Sequence, residues 1–360
     1  MEREPAGRRQ DSLRDSGAAL TALAARAAGV LPTDLRVGLR PPLDHQSNRL
    51  YDAWAPNRHL IIKEYLKEEE WADAPVREFR ALELLRPLDI APQPVRYAEA
   101  TDEHGPIVIY EFLEGQAWDR RRPTRAQLGH LAEIWLAMNV LPTGGLWISR
   151  NFGRPLADTE SRLRDAFEDY ATWAGADFPP AVRAADLCLA ALDRCAASVK
   201  ALSQARPTLC FCRSDQRFAN VIGRPDGRLG LVDWEDSGLR DPARDVADLL
   251  THPNQEDLLT PSEWRGFLDP YFAARTPLDS ELPDRVWAYI PLFSLFWVVL
   301  ILQRNLELAR RGEPAERAVN GLHLEIRLRR NLARGLAGTE LDFSGELVGL
   351  EEVRFFPSPP

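Results

Sequence analysis

Residues 212–248, CRSDQRFANVIGRPDGRLGLVDWEDSGLRDPARDVAD, hold three oxygen-bearing side chains in a telling order: Asp215, Asn220 five positions on, and Asp233 at the end of an apolar run. Phosphoryl transfer asks little covalent work of a protein. It asks for a carboxylate that orients the acceptor and takes its proton, and for oxygen ligands to a Mg²⁺ bridging the phosphates. Asn220–Gly223 and Gly230–Asp233, joined by Arg224-Pro225-Asp226-Gly227, read as a hairpin. That hairpin folds Asp233 back beside Asn220, so the spacing suits the chemistry.

A second group lies upstream. Lys63 follows three apolar residues in HLIIKEYL, where an unpaired ammonium is costly to bury and needs an anion. Glu78, early in the amphipathic stretch VREFRALELL, can supply one. The chain has only three lysines, Lys63, Lys67 and Lys200, so arginine is its ordinary cation and a lysine in an apolar run stands out. Loss of Lys63 is expected to cost rate more than fold.

The elements that must position these residues differ between the two halves of the chain. From residue 31 to 113 the pattern is strands with one helix: 50–54 and 59–65 around a Pro56-Asn57 turn, a helix over 76–85, then strands 95–98 and 106–113. After Gly115 the pattern turns helical, over 127–141, 161–170 and 181–202, interrupted by a strand at 208–212 and the hairpin. These readings give a helical extension over 1–30, a first lobe over 31–113, a linker over 114–117, a helical lobe over 118–345 containing the hairpin region 208–236, and a tail over 346–360. Asp241 and Asp245 open a helix at D-P-x-x-D, where they suit cap and first-turn positions.

Composition narrows the class. With 45% hydrophobic residues and a net charge of −9 the chain can build a core and carries no basic stripe for nucleic acid. Cys188, Cys195, Cys210 and Cys212 show no disulfide or metal spacing, which fits a reducing cytoplasm. None of the six histidines clusters with cysteine or acid at metal-ligand spacing, and each reads as a surface or core residue. The uncharged run 286–302 has nearly the length of a membrane span, but Pro291, Ser294 and Tyr289 within it favour a buried helix. No membrane partner is expected. Neither a G-x-S-x-G elbow nor a G-x-x-x-x-G-K-[ST] loop occurs, which excludes the common serine-hydrolase and P-loop designs.

The order strand, R-S-D-Q-R-F-A-N, hairpin, D-W-E, then G-L-R-D-P-A-R-D-V-A resembles the aminoglycoside phosphotransferase and choline kinase families, which carry H-G-D-x-x-x-x-N, D-[WF]-E and G-x-x-D-P-x-x-D-[LV]-A. The resemblance spans about residues 31–302. It implies an α+β, bilobal protein kinase-like fold, with a small antiparallel-sheet lobe and a larger mainly helical lobe. It also implies ATP and Mg²⁺ as cofactors and a small-molecule hydroxyl as acceptor. Asp215 would be the catalytic aspartate, Asn220 and Asp233 the magnesium ligands, and Lys63 with Glu78 the pair that holds the phosphates. Ser47 and Asn48 would stand in the phosphate loop, and the backbone of Glu111, Phe112 and Leu113 against the adenine edge. The chain departs from the pattern in two places. The phosphate loop keeps S-N-R-x-Y but lacks the family's glycines, and Arg213-Ser214 replaces His-Gly before Asp215. Arg213 can brace the loop or pair with Asp233. A closing histidine on the first helix of the helical lobe is replaced at Met138-Asn139. These departures leave one alternative, a catalytically inactive relative that binds nucleotide or a protein partner. For a cationic acceptor, Glu235, Asp236 and the pair Glu256-Asp257 offer charge, while Trp264, Trp287, Tyr289 and Trp297 offer faces to stack on or simply fill the core.

Overall fold

The computed structural model describes residues 18–41, 48–66, 72–119, 121–148, 156–174, 180–203, 207–310, 318–319, 322–337, 353 and 355. The chain divides into two compact units, one running to Gln116 and including Val221–Ser237, the other comprising Ala117–Asn220 and the chain from Gly238.

The first unit begins with helix α1 (Ala18–Ala28). Its sheet follows, formed by β1 (Arg36–Leu39), β2 (Asn48–Ala55), β3 (Arg58–Tyr65), β4 (Pro94–Ala98) and β5 (Ile107–Glu111) in the order β1-β2-β3-β5-β4. Neighbouring strands are antiparallel throughout. Ala55 pairs with Arg58, so Pro56-Asn57 is the two-residue turn that the sequence predicts. Strand side chains alternate between faces, and β3 uses both. Leu60 and Ile62 join Ile107 and Ile109 in a core with Leu20, Leu23 and Ala24 of α1. Lys63 and Tyr65 lie on the opposite face, where both reach Glu78 of α2 (Ala74–Leu85).

After β6 (Gln116–Ala117), the chain enters the second unit as α3 (Arg125–Asn139), α4 (Leu156–Ala174), α5 (Pro180–Ser203) and β7 (Cys210–Cys212). It returns to the first unit for the hairpin of β8 (Val221–Gly223) and β9 (Leu229–Leu231). This placement differs from the sequence reading, which kept 208–236 together in the helical half. The physical reason is local. The Leu231 N–H donates to Ile90 O at 2.7 Å, and the hairpin lies against Gly115, whose φ is +145° and where a Cβ would come within 2.5 Å of Gly223 O. Only glycine fits such a backbone and such an approach.

The second unit resumes with β10 (Gly238–Arg240), antiparallel to β7, then α6 (Pro242–Thr251), α7 (Pro261–Arg275), α8 (Leu282–Arg310), a short β11 (Ala318–Val319) and β12 (Leu322–His323) pair, and α9 (Leu324–Ala337). Helix α3 starts at a reciprocal capping box between Thr124 and Gln127 and lies against α7. The apolar run 286–302 forms most of α8, which packs on α6 and α9. By length and composition its segment Leu282–Asn305 can cross a bilayer, yet 67% of its most apolar window is buried inside the protein. Here it is the central core helix of the unit. Asn139, where the family carries histidine, is buried and ties α3 to its neighbours, donating to Phe211 O at 3.2 Å and accepting from Tyr271 Oη at 2.6 Å. All four cysteines are free and buried.

Candidate active site

The first unit assembles one cluster around Lys63. Its Nζ donates to Glu78 Oε2 at 2.8 Å and Asp233 Oδ1 at 2.6 Å, and pairs with Glu235 Oε2 at 2.9 Å. Lys63 is only 4% exposed. Burial alone would lower its pKa, but Asp233, Glu235 and Glu78 outweigh that and hold it well above the ordinary lysine value. Glu78 also accepts from the Tyr65 hydroxyl and from the Trp234 N–H, the latter at 3.4 Å. Glu235 is pushed up by burial and by its acidic neighbours, against the pull of Lys63. Asn48 Nδ2 donates to Glu235 Oε2 at 2.8 Å. Glu235 is thus committed to this cluster rather than offered to an amine. Asp233 has the most exposed carboxylate of the three, and its backbone is left-handed at φ +66°.

Oxygens of Glu78, Asp233 and Glu235 all lie within 4.8 Å of one another. Several carboxylate oxygens at such separations are the donor set a hard divalent cation takes, so these residues fit Mg²⁺, with Lys63 supplying positive charge at the same spot.

The second unit holds the other half of the sequence pattern on the loop 213–220. Ser214 and Asp215 have φ of +64° and +47°. Two successive non-glycine residues in the left-handed region cost about 1–2 kcal/mol each, and the family's glycine stands at the first of them. The loop is held from α6 and the turn after it. Asp245 accepts from the Ser214 N–H at 3.4 Å and Gln216 Nε2 at 2.6 Å, and Asp248 accepts from the Gln216 N–H at 2.9 Å. Asp241 is the helix cap the sequence predicts, accepting from the Ala243 N–H at 3.0 Å. Asp245, however, does more than charge the first turn, since it also bonds the loop. Arg213 is buried and donates to Gln216 Oε1 at 3.1 Å, the bracing role. Phe218 anchors the loop edge-on to Trp118 with ring centroids 5.4 Å apart.

Asp215 Oδ1 lies 3.3 Å from His252 Nε2, and Asp215 Oδ2 accepts from Asn220 Nδ2 at 3.2 Å. Burial pushes the Asp215 carboxyl up, but His252, Arg217 and Arg213 together bring it down to about 2, so it is ionised at neutral pH. His252 is buried and hydrogen-bonded, as expected of a surface or satisfied core histidine, but its pairing with Asp215 was not foreseen. No local signal marks it, because only the fold brings the end of α6 to Asp215. Glu256 also departs from expectation. It is buried in an ion pair with Arg334, so its charge is already matched, whereas Asp257 beside it is exposed. Trp264 and Tyr289 are buried core residues, whereas Trp297 sets its ring against His252 at 4.5 Å.

In the hinge segment, Glu111 and Phe112 donate their N–H groups to Gln93 O and His59 O, at 2.9 and 2.8 Å. Ser47 lies outside the described residues.

A family model described as "Phosphotransferase enzyme family" matches residues 38–289. The chain belongs to this family. It is a phosphotransferase with the kinase-like fold, of the kind that acts on small molecules. No curated protein matches it. Among solved structures it is similar to the choline kinase LicA from Streptococcus pneumoniae, at 20% identity and TM-score 0.57, covering 88% of this chain and 98% of that one. It is also similar to a spectinomycin phosphotransferase in complex with ADP and spectinomycin, at 12% identity, TM-score 0.53 and 87% and 93% coverage. An ethanolamine kinase from Plasmodium vivax matches at 14% identity and TM-score 0.53, covering 88% and 81%. At these identities the likeness shows the fold.

Proposed function

We propose that this phosphotransferase moves the γ-phosphoryl group of ATP to a hydroxyl of a small molecule, an amino alcohol, aminoglycoside or sugar-like acceptor, in the cytoplasm. The observation that carries the reading is the buried Lys63 ammonium bonded at once to Glu78 and Asp233. A phosphate-holding lysine, the helix carboxylate that fixes it and a metal-binding aspartate meet there. Lys63 would hold the phosphates, and Asp233 and Asn220 would hold Mg²⁺, which would neutralise charge on the phosphates. Asp215, kept ionised, orients the acceptor hydroxyl for in-line attack and takes its proton as the new O–P bond forms and ADP leaves. Backbone groups of the segment Glu111 to Leu113 would pair with the adenine edge. The bracing of the loop by Arg213 supports an active enzyme over an inactive relative.

The test is ADP release from MgATP across a panel of amino alcohols, aminoglycosides and sugars, with Asp215→Asn as the blank. One acceptor should stimulate release, and the variant should lower kcat by about 10²–10⁴-fold while ADP affinity stays within twofold. Equal turnover by the variant would remove Asp215 from its role.

A further inference from the structure

The turn His252-Pro253-Asn254-Gln255, just beyond α6, touches the catalytic loop at nearly every residue. His252 Nε2 meets Asp215 Oδ1 at 3.3 Å, Asn254 Oδ1 accepts from the Ala219 N–H at 3.0 Å, and Gln255 Oε1 accepts from the Phe218 N–H at 3.0 Å. Gln255 Nε2 donates back to Gln216 O at 2.6 Å and to Leu249 O at 2.9 Å, which anchors the turn to α6 itself. His252 is 8% exposed, and its orientation is fixed from two further directions. Its Nδ1 accepts the Asn254 N–H at 3.1 Å, and the Trp297 ring stands at 67° to the imidazole. A ring nitrogen that accepts a backbone N–H carries no proton, so the proton sits on Nε2 and is donated to Asp215.

We infer that His252 is a positioning residue for phosphoryl transfer, aiming Asp215 at the acceptor through its Nε2–H while Asn254 and Gln255 hold the loop backbone around it. This rests on the role proposed above for Asp215. The need for such a device is visible in the backbone. Asp215 and Ser214 both occupy left-handed conformations, which persist only where surrounding contacts over-determine them. With Asn220 on Oδ2 and His252 on Oδ1, rotation of the carboxylate about its Cβ–Cγ bond is restrained at both oxygens. One oxygen edge is then presented to a hydroxyl in a constant direction. A carboxylate free to swing would spend much of its time misaligned, and misplacement by about 1 Å costs on the order of 10²-fold in rate.

Two measurements on the full chain test this. The first is turnover of MgATP with water or an acceptor, read as ADP release, in wild type, His252→Leu and His252→Gln. The leucine variant removes the donor and should lower kcat by about 10- to 100-fold with the KM for MgATP within twofold. The glutamine variant, whose Nε2–H can reach the same oxygen, should recover at least half of the lost rate, which repacking alone would not explain. The second is long-range ¹H–¹⁵N NMR of the imidazole, with the His252 signals assigned by their loss in the glutamine variant. It should show a protonated Nε2 and bare Nδ1, and Asp215→Asn should shift the Nε2–H signal. A kcat for His252→Leu equal to that of active wild type, or a proton on Nδ1, overturns the inference alone. No ADP release from wild type under any condition overturns the phosphotransferase reading on which it stands.

Discussion

The two carboxylate centres of this enzyme are stabilised by opposite means. At Lys63 three carboxylates share one buried ammonium, at 2.6–2.9 Å, and the charge balance stays negative. At Asp215 one carboxylate is held by directed donors, His252 and Asn220, on a backbone in the left-handed region. The first centre is short of positive charge, which suits a site that draws in a cation. The second is saturated in geometry rather than in charge, which is what a group that must point needs.

The largest perturbation of that comparison is Lys63→Met. It leaves the buried Glu78 and its neighbours Asp233 and Glu235 without their cation, so folding stability should fall by about 3 kcal/mol. Millimolar Mn²⁺ or Mg²⁺ should return part of it by binding the folded state. Thermal denaturation with and without metal reads both effects, and an unchanged melting temperature would break the contrast between the centres. Stability is thus at stake along with rate, beyond what HLIIKEYL alone implied.

A smaller effect belongs to Asp248, which supports the loop through the Gln216 N–H. Burial pushes its carboxyl up to about 6, against the pull of that hydrogen bond. A folded-state value above the unfolded one of about 3.9 means the folded protein binds the extra proton. Its contribution is therefore present below pH 4 and lost as pH rises to 6, about 2–3 kcal/mol in all. Asp248→Asn keeps the acceptor oxygen and should flatten that part of the stability curve. Parallel curves for wild type and variant would contradict the assignment. Smallest is Ser214→Gly, which relieves a strained φ of +64° and should raise stability by about 1 kcal/mol. A loss of stability would mean that the serine hydroxyl contributes more than its backbone costs.

Much of this was legible in sequence because it was local. The apolar run HLIIKEYL placed Lys63 on a strand that is buried from Leu60 to Tyr65, and the amphipathic stretch VREFRALELL offered Glu78 as its anion. The D-x-x-x-x-N order and the Pro-Asp-Gly turn located Asp215, Asn220 and Asp233. What escaped was carried by distant pairing. Nothing in D-W-E announces that Glu235 joins Asp233 on Lys63, and nothing in T-H-P-N-Q announces that three of its side chains clamp a loop far earlier in the chain. Membership of Val221–Ser237 in the first unit likewise depends on Gly115 and Ile90 as partners. Glu256 was misread for the same reason, since its charge is consumed by Arg334, near the other end of the unit's sequence.

The central claim is that Asp233 carries the metal that couples nucleotide to this enzyme. Calorimetric titration of ADP and ATP with and without Mg²⁺, into wild type and Asp233→Ala, tests it most directly. Tight binding to wild type is expected only when Mg²⁺ is present, with no dependence on Mg²⁺ in the variant. Equal affinity of wild type with and without Mg²⁺, or a variant that keeps the metal dependence, would contradict it.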